Sequence, residues 1–394
     1  MIIWPETMVQ GYLQPELWPQ LAGADLAEDM AFHEALGRHA KGTAYVLVGA
    51  YGGEVMRDPL GKDYLGKYNS AYLYRPDGTR DPGRYDKIHL VLFGEYIPFR
   101  RHIPWLFEQL KRFLPEGYNP DYSLEHGKRY TIFEMNDSTK GQRTDDIGQR
   151  PAGGLARSGP VRASGGPAAP GWESNTAEGG GATSGVTTNA LDAATPTDPQ
   201  SAIRNHVTPD LDPGPQSPQA PPYRFAVIIC YEDTIPYVAR NFTLDKQGRK
   251  RIDWLVNISN DGWFVRFVKD PPEVIPSTEL PQHAAICVFR AVENRLAVVR
   301  SVNTGISCLI ESTGRIRDGY MAAGDGFPAG VMERTAMAGW FLDRLPIDKR
   351  VTFYSRHGEW LANGCAAVFV ATLAWPLGGR FVRRRTREQT KANG

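Results

Sequence analysis

Cysteine is scarce in this chain. Cys230, Cys287, Cys308 and Cys365 are its four cysteines in 394 residues, too few and too scattered for a disulfide framework or a zinc cluster. An excess of either charge is lacking as well: 45 basic residues stand against 44 acidic ones, so nucleic-acid binding driven by net charge is excluded. The N-terminus has no basic segment followed by an apolar stretch, and no signal peptide is expected. Aromatic residues are nearly missing from one long region. Between Asp137 and Pro222 the sole aromatic is Trp172, while 13 Gly and 12 Pro lie among the 86 residues. Such a composition cannot bury a core and predicts a disordered, low-complexity insert over 137–222. The rest of the chain is long enough for one sizeable domain or two small ones.

Outside the insert, strands and helices alternate. Ala24 to Lys41 has helical spacing of its apolar residues, and Tyr45 to Tyr51 reads as a buried strand. Asn69 to Arg75 is a strand that ends at the turn signal Pro76-Asp77-Gly78. Tyr130 to Met135 and Tyr223 to Ile229 are strands on either side of the insert, which predicts a hairpin with an expanded tip. Loop-closure entropy grows only logarithmically with length, so such an excursion is tolerable. Trp254 to Ser259 is a further strand, Gln282 to Arg295 a helix, and Ala297 to Ser301 and Ile306 to Glu311 two more strands. The alternation implies α/β or α+β.

The C-terminal region differs in kind. From Trp360 to Gly379, 20 residues carry no formal charge, matching the roughly 20 needed to cross a bilayer as a helix. Trp360 and Trp375 lie near its two ends, and Arg380, Arg383, Arg384, Arg385, Arg387 and Lys391 follow. A transmembrane helix at 360–379 with a basic cytoplasmic tail at 380–394 is therefore expected. The domain before it would face the other side of the membrane.

Candidate chemistry gathers where strands end. Cys230 follows the apolar run Ala226 to Ile229 and precedes Tyr231-Glu232-Asp233, so a buried strand delivers its thiol to a polar loop. A thiol is strongly nucleophilic once a base or a nearby cation assists it; taken alone, an apolar-flanked cysteine is more often a small core residue. Glu6 ends the run Ile2-Ile3-Trp4-Pro5. A carboxylate held short of solvent has a raised pKa and suits a general base, whereas a solvated loop glutamate is the plainer reading. Lys87, in Tyr85-Asp86-Lys87-Ile88-His89-Leu90, could supply charge to a tetrahedral oxyanion or be an ordinary surface lysine.

Together, Trp4-Pro5-Glu6, the Lys87 segment with Phe93-Gly94-Glu95-Tyr96, and Ile229-Cys230-Tyr231-Glu232 resemble the Glu, Lys, Cys signature of the nitrilase (carbon-nitrogen hydrolase) superfamily. Asn257 to Phe264, Gln282-His283, Arg290 to Arg295, Asn303 to Ser307 and Leu90 to Pro98 look like one branch of it, the apolipoprotein N-acyltransferases. Several motifs in the correct order make the likeness specific.

The resemblance implies an α/β fold, the nitrilase-type αββα sandwich, with residues 1–136 and 223–359 as two parts of one catalytic domain. It implies Glu6 as general base, Cys230 as nucleophile and Lys87 as oxyanion stabiliser. Glu95 would orient the lysine and the incoming amine, and Tyr231 and Glu232 would line the site. Cys230 would take an acyl chain from a phospholipid as a thioester and pass it to the N-terminal amine of a diacylglyceryl lipoprotein. No metal or organic cofactor is called for. The expected location is the bacterial inner membrane, with the catalytic domain on the periplasmic side. The branch carries a multi-helix membrane domain ahead of the catalytic one, and Met1 falls just before Glu6. The expectation is that Met1 is internal to a longer reading frame or that the membrane half is encoded separately. Two other function classes share these residues: a nitrilase-type amidase acting on a small amide, and a non-catalytic membrane-associated fragment.

Overall fold

The computed structural model describes residues 1–21, 26–58, 61–98, 104–110, 123–136, 221–269, 272–324 and 326–375. The predicted insert, except for its last two residues, lies outside these, as do the final four residues of the predicted span and the basic tail.

In the first half, β-branched and aromatic residues build one sheet. Strand β1 (Ile2–Ile3) pairs in parallel with β3 (Val46–Arg57), and β2 (Val9–Tyr12) continues the pairing further along β3. Helix α1 (Ala27–Ala40) connects β2 to β3, with Glu28 and Asp29 in its first turn and Arg38 and His39 in its last, as the helix dipole favours. β4 (Asp63–Tyr74) and β5 (Arg80–Asp86) complete the sheet by antiparallel pairing. β4 begins earlier than the predicted strand because its first half completes a hairpin with the far end of β3, an extension that tertiary pairing rather than local pattern decides. A short helix, α2 (Pro104–Leu110), follows.

The second half forms a six-stranded sheet around a parallel centre. β6 (Ile132–Met135) and β7 (Tyr223–Ile229) pair antiparallel, as the expanded hairpin requires. α3 (Pro236–Thr243) leads to β8 (Trp254–Ser259), parallel to β7. An antiparallel pair unseen in the sequence, β9 (Val265–Lys269) and β10 (Pro272–Pro276), precedes α4 (Glu279–Asn294). β11 (Ala297–Val302) lies parallel to β8, and β12 (Cys308–Ile310) and β13 (Ile316–Arg317) extend the edge. Beyond them come a small hairpin, β14 (Met321–Ala323) with β15 (Trp340–Leu342), and α5 (Phe353–His357).

Strand alternation sorts the side chains into layers. Val46, Val48, Ala50, Tyr72 and Tyr74 face Leu36 and Ala40 of α1. Their neighbours Leu47, Ala71 and Leu73 join the second sheet's Phe225, Val227 and Val256 in the main core, together with Val238 of α3 and Cys287 of α4. Helix, sheet, sheet and helix therefore stack in that order, an α/β architecture in which the two sheets share one buried face. The parallel strands β1, β7 and β8 all end toward the same side, and the loops there carry the candidate residues.

Residues 360–375 are helical with every side chain exposed. Among the described residues, no helix is long and apolar enough to cross a membrane.

Candidate active site

Three segments meet at these strand ends, and each turns sharply. Among the described residues, five non-glycine residues have positive φ, and three of these are Thr7, Phe93 and Cys230. Thr7 follows Glu6, Phe93 lies between Lys87 and Glu95, and Cys230 itself has φ 50°. The left-handed conformation costs a side-chain-bearing residue about 1–2 kcal/mol, so the fold holds these turns against local preference.

Glu6 is buried and held by two donors. Asn69 Nδ2 donates to its Oε1 at 2.5 Å, and the amide of Asn260 donates to its Oε2 at 2.6 Å. Gly49 makes room for it: a Cβ there would sit 2.7 Å from Glu6 Cα and 2.6 Å from the amide nitrogen of Thr7. Lys87 is 1% exposed and donates to Glu95 Oε1 at 2.7 Å, while its Nζ lies 3.9 Å from Glu6 Oε1. The other oxygen of Glu95 accepts from the amide of Val91 at 2.8 Å. Glu95 thus fixes the ammonium to the loop that carries both residues. Asn69, from the middle of β4, also reaches Glu95 Oε1 at 3.3 Å and so joins the two carboxylates.

The proton inventory follows from burial and charge. Burial pushes the Cys230 thiol well up, and the Glu6 charge adds to this, while Lys87 and the Ser259 hydroxyl pull the other way. Burial also raises Glu6, against the opposing pull of Lys87. On Lys87, burial alone would lower the pKa, but Cys230, Glu6 and Glu95 together raise it well above the lysine range. The ammonium therefore stays charged, and burial makes both the Glu6 carboxylate and the Cys230 thiolate more basic than usual. Such a pair can pass a proton between sulfur and carboxylate while a fixed cation faces developing negative charge.

Glu232, expected beside the nucleophile, is buried, and its carboxylate turns toward the amides that flank Lys87 and Cys230. Oε1 accepts from the amides of Ile88 at 2.7 Å and His89 at 3.0 Å, and Oε2 from the amide of Ile229 at 2.8 Å. The Tyr85 hydroxyl donates to the same carboxylate at 2.8 Å. The cause is local: Glu232 is the third residue of the 3-10 turn Cys230–Thr234, so its side chain reaches back to the amide preceding the turn. Burial pushes its carboxyl up to about 7, opposed by these amide donors. Tyr231 is exposed and stands 6.0 Å from the ring of His89, whose Nδ1 lies 2.9 Å from the Tyr237 hydroxyl. Asn69 and Asn260 were missed by sequence reasoning. An asparagine in the buried middle of a strand is the signal that could have found the first; the second acts through its backbone, which no side-chain pattern reveals.

Residues 1–148 match the family model for carbon-nitrogen hydrolase. The chain is also similar to apolipoprotein N-acyltransferases. The enzyme of that name from Geobacter metallireducens is 32% identical over 154 residues, 39% of this chain and 24% of the relative. Apolipoprotein N-acyltransferase 1 of Treponema denticola is 26% identical over 326 residues, 80% of this chain and 37% of its own length. The Bradyrhizobium diazoefficiens enzyme is 26% identical over 318 residues, 80% and 36% of the two chains. The chain thus spans well under half the length of each of these relatives.

Proposed function

We propose that this chain is the catalytic part of a membrane-bound N-acyltransferase that moves a fatty acyl chain from a phospholipid to the N-terminal amine of a diacylglyceryl lipoprotein. The observation that carries the reading is the Lys87 ammonium held 2.7 Å from Glu95 and 3.9 Å from Glu6. The similarity to apolipoprotein N-acyltransferases over 80% of the chain supports it.

Cys230 Sγ attacks the ester carbonyl of the phospholipid as Glu6 takes the thiol proton, and Lys87 faces the oxyanion. Collapse breaks the ester C–O bond. The departing lysophospholipid alkoxide receives the proton from Glu6, leaving an acyl thioester. The lipoprotein amine then attacks the thioester carbonyl, gives a proton to Glu6, and the C–S bond breaks. That proton returns to the thiolate, and an amide is the product. Water must be kept from the thioester, or the enzyme becomes a lipase.

Exposed apolar side chains beside each segment support a lipid substrate. Leu92 and Phe93 follow Lys87, Tyr231 follows Cys230, and Trp263 follows Asn260. The uncharged segment 360–379 serves in this reading as a transmembrane helix with the basic tail in the cytoplasm and the site at the periplasmic surface of the inner membrane. Anchoring there spares the acyl chains extraction into water, at about 0.8 kcal/mol per CH₂. A membrane domain is the expected partner in this reading.

The test is mass spectrometry of the full chain after incubation with phosphatidylethanolamine vesicles. An acyl thioester is expected on Cys230 and should be lost in Cys230→Ala. An unmodified Cys230 that instead releases ammonia from simple amides would replace this reading with the amidase.

A further inference from the structure

Beneath the site lie four charged groups that acyl transfer does not use. Arg300, fully buried in the middle of β11, donates from Nη1 to Asp233 Oδ2 at 3.1 Å and from Nη2 to Asp261 Oδ2 at 2.8 Å. His283, on the core face of α4, meets the same two carboxylates: Nε2 lies 3.0 Å from Asp233 Oδ2, and Nδ1 lies 3.0 Å from Asp261 Oδ1. Each cation touches both carboxylates, so the four side chains close a ring. A neutral imidazole has one donor and one acceptor, yet here both ring nitrogens face carboxylate oxygens. The geometry therefore calls for imidazolium, which also makes the formal charge of the ring zero in a place where an unpaired charge would be costly.

The ring joins two strands that each carry a part of the site. Asp233 belongs to the 3-10 turn that starts at Cys230. Asp261 follows Asn260, whose amide holds Glu6, and its Oδ1 also accepts from the hydroxyl of Ser259 at 2.6 Å. The turn after β8 is fixed further by Asn303, which accepts from the amide of Asp261 at 2.9 Å. Gly305 leaves space for the carboxylate, since a Cβ there would lie 2.0 Å from Asp261 Oδ2. These are the segments Asn257 to Phe264, Gln282-His283 and Asn303 to Ser307 that the sequence singles out.

We propose that His283, together with Arg300, is a positioning residue that braces Asp233 against Asp261 and so sets the separation between the Cys230 thiol and the Glu6 carboxylate. The inference rests on the Glu6, Lys87 and Cys230 reading of the site but not on the identity of the acyl donor. The groups around His283 are Asp233, Asp261, Arg300 from β11, Cys287 and Arg290 from its own helix, and the Phe264 ring edge-on at 5.7 Å. Burial alone would lower its pKa; the two carboxylates raise it to about 9. The brace is then intact through neutral pH and loosens in alkali.

The test is the alkylation rate of Cys230 by iodoacetamide in the full chain, followed by mass spectrometry from pH 6 to 10, with added glutathione as reference thiol. His283→Gln should slow Cys230 relative to that reference about tenfold or more near pH 7, because misplacing a catalytic group by about 1 Å can cost roughly 10²-fold. The gap from wild type should close as the pH passes about 9, where the wild type also loses the charge. A variant that melts earlier but alkylates Cys230 at the wild-type rate would show a merely structural residue and overturn the proposal. Should the variant not fold, nitrogen-15 spectra of the wild-type ring decide: two protonated nitrogens at pH 7 support the brace, and a neutral tautomer overturns it. If Cys230 forms no acyl thioester yet His283→Gln slows its alkylation, the brace stands and the acyltransferase reading falls.

Discussion

Glu232 accepts a hydrogen bond from the amide of Ile88 at 2.7 Å and thereby ties the loop carrying Lys87 to the turn carrying Cys230. No side chain of the proposed chemistry makes that link. Glu232→Gln should break it, because an amide presents an NH₂ to a place where Ile229, Ile88, His89 and Tyr85 all point donors. Whichever way the amide lies, at least one backbone N–H is left unpaired, at roughly 1–3 kcal/mol each. A lower urea midpoint and at least a tenfold slower acylation of Cys230 are expected. Full activity in Glu232→Gln would mean that the loop is held by other contacts.

Lys87 offers a way to separate stability from chemistry. Lys87→Met leaves the buried Glu95 and Glu6 without their cation, and breaking a buried pair in this manner costs about 3–5 kcal/mol. The double variant Lys87→Met with Glu95→Gln removes one stranded charge while keeping an acceptor for the Val91 amide. Denaturation should show the double variant recovering much of the lost stability, whereas acylation should be absent from both.

Gly49→Ala acts on Glu6 without touching its side chain. The new Cβ would meet the backbone of Pro5, Glu6 and Thr7 at 2.6–2.8 Å, and backbone atoms cannot swing aside as a flexible side-chain tip can. Displacement of the strand end that carries Glu6 should reduce acylation by about 10²-fold. Gly364→Ala meets nothing within 4 Å and should leave acylation unchanged.

Stability should follow the charged ring in both directions of pH. His283 is raised to about 9 in the folded protein, from about 6.5 in an unfolded chain. Its contribution is complete below about pH 6.5 and is lost as the pH rises through 9. Asp261 is lowered to about 2, its burial outweighed by His283 and Arg300, so its contribution holds above about pH 4 and is lost as the pH falls through 2. The share of stability owed to this ring should therefore be constant between these limits. On going from pH 6 to pH 9.5, the wild type should lose on the order of 3 kcal/mol more than His283→Gln.

Strand ends were the legible part of the site, since Glu6 and Cys230 each follow a short apolar run in the chain. Glu95 was legible through its motif, and its carboxylate accepts from Lys87 at 2.7 Å. The position of Glu232 was legible, but not its direction, which depends on a turn type that Cys230-Tyr231-Glu232 does not spell out. The charged ring left a trace that periodicity alone passes over. His283 and Arg290 fall on the same helical stripe as Leu280, Ala284, Cys287 and Ala291, and Arg300 sits among valines in a central strand. Charged side chains at core positions require partners, and those partners come from turns after two other strands. Only the assembled sheet brings them together.

The hairpin of β6 and β7 bears on how this chain can change over time. Residues 136 and 221 leave the sheet where Met135 pairs with Tyr223, while Cys230 stands at the opposite end of β7, roughly 20 Å away at about 3.3 Å per residue. The whole of β7 lies between the point where residues 137–220 join the sheet and the point where the chemistry is set. A change of length beyond Asn136 is thus separated from the thiol by that strand.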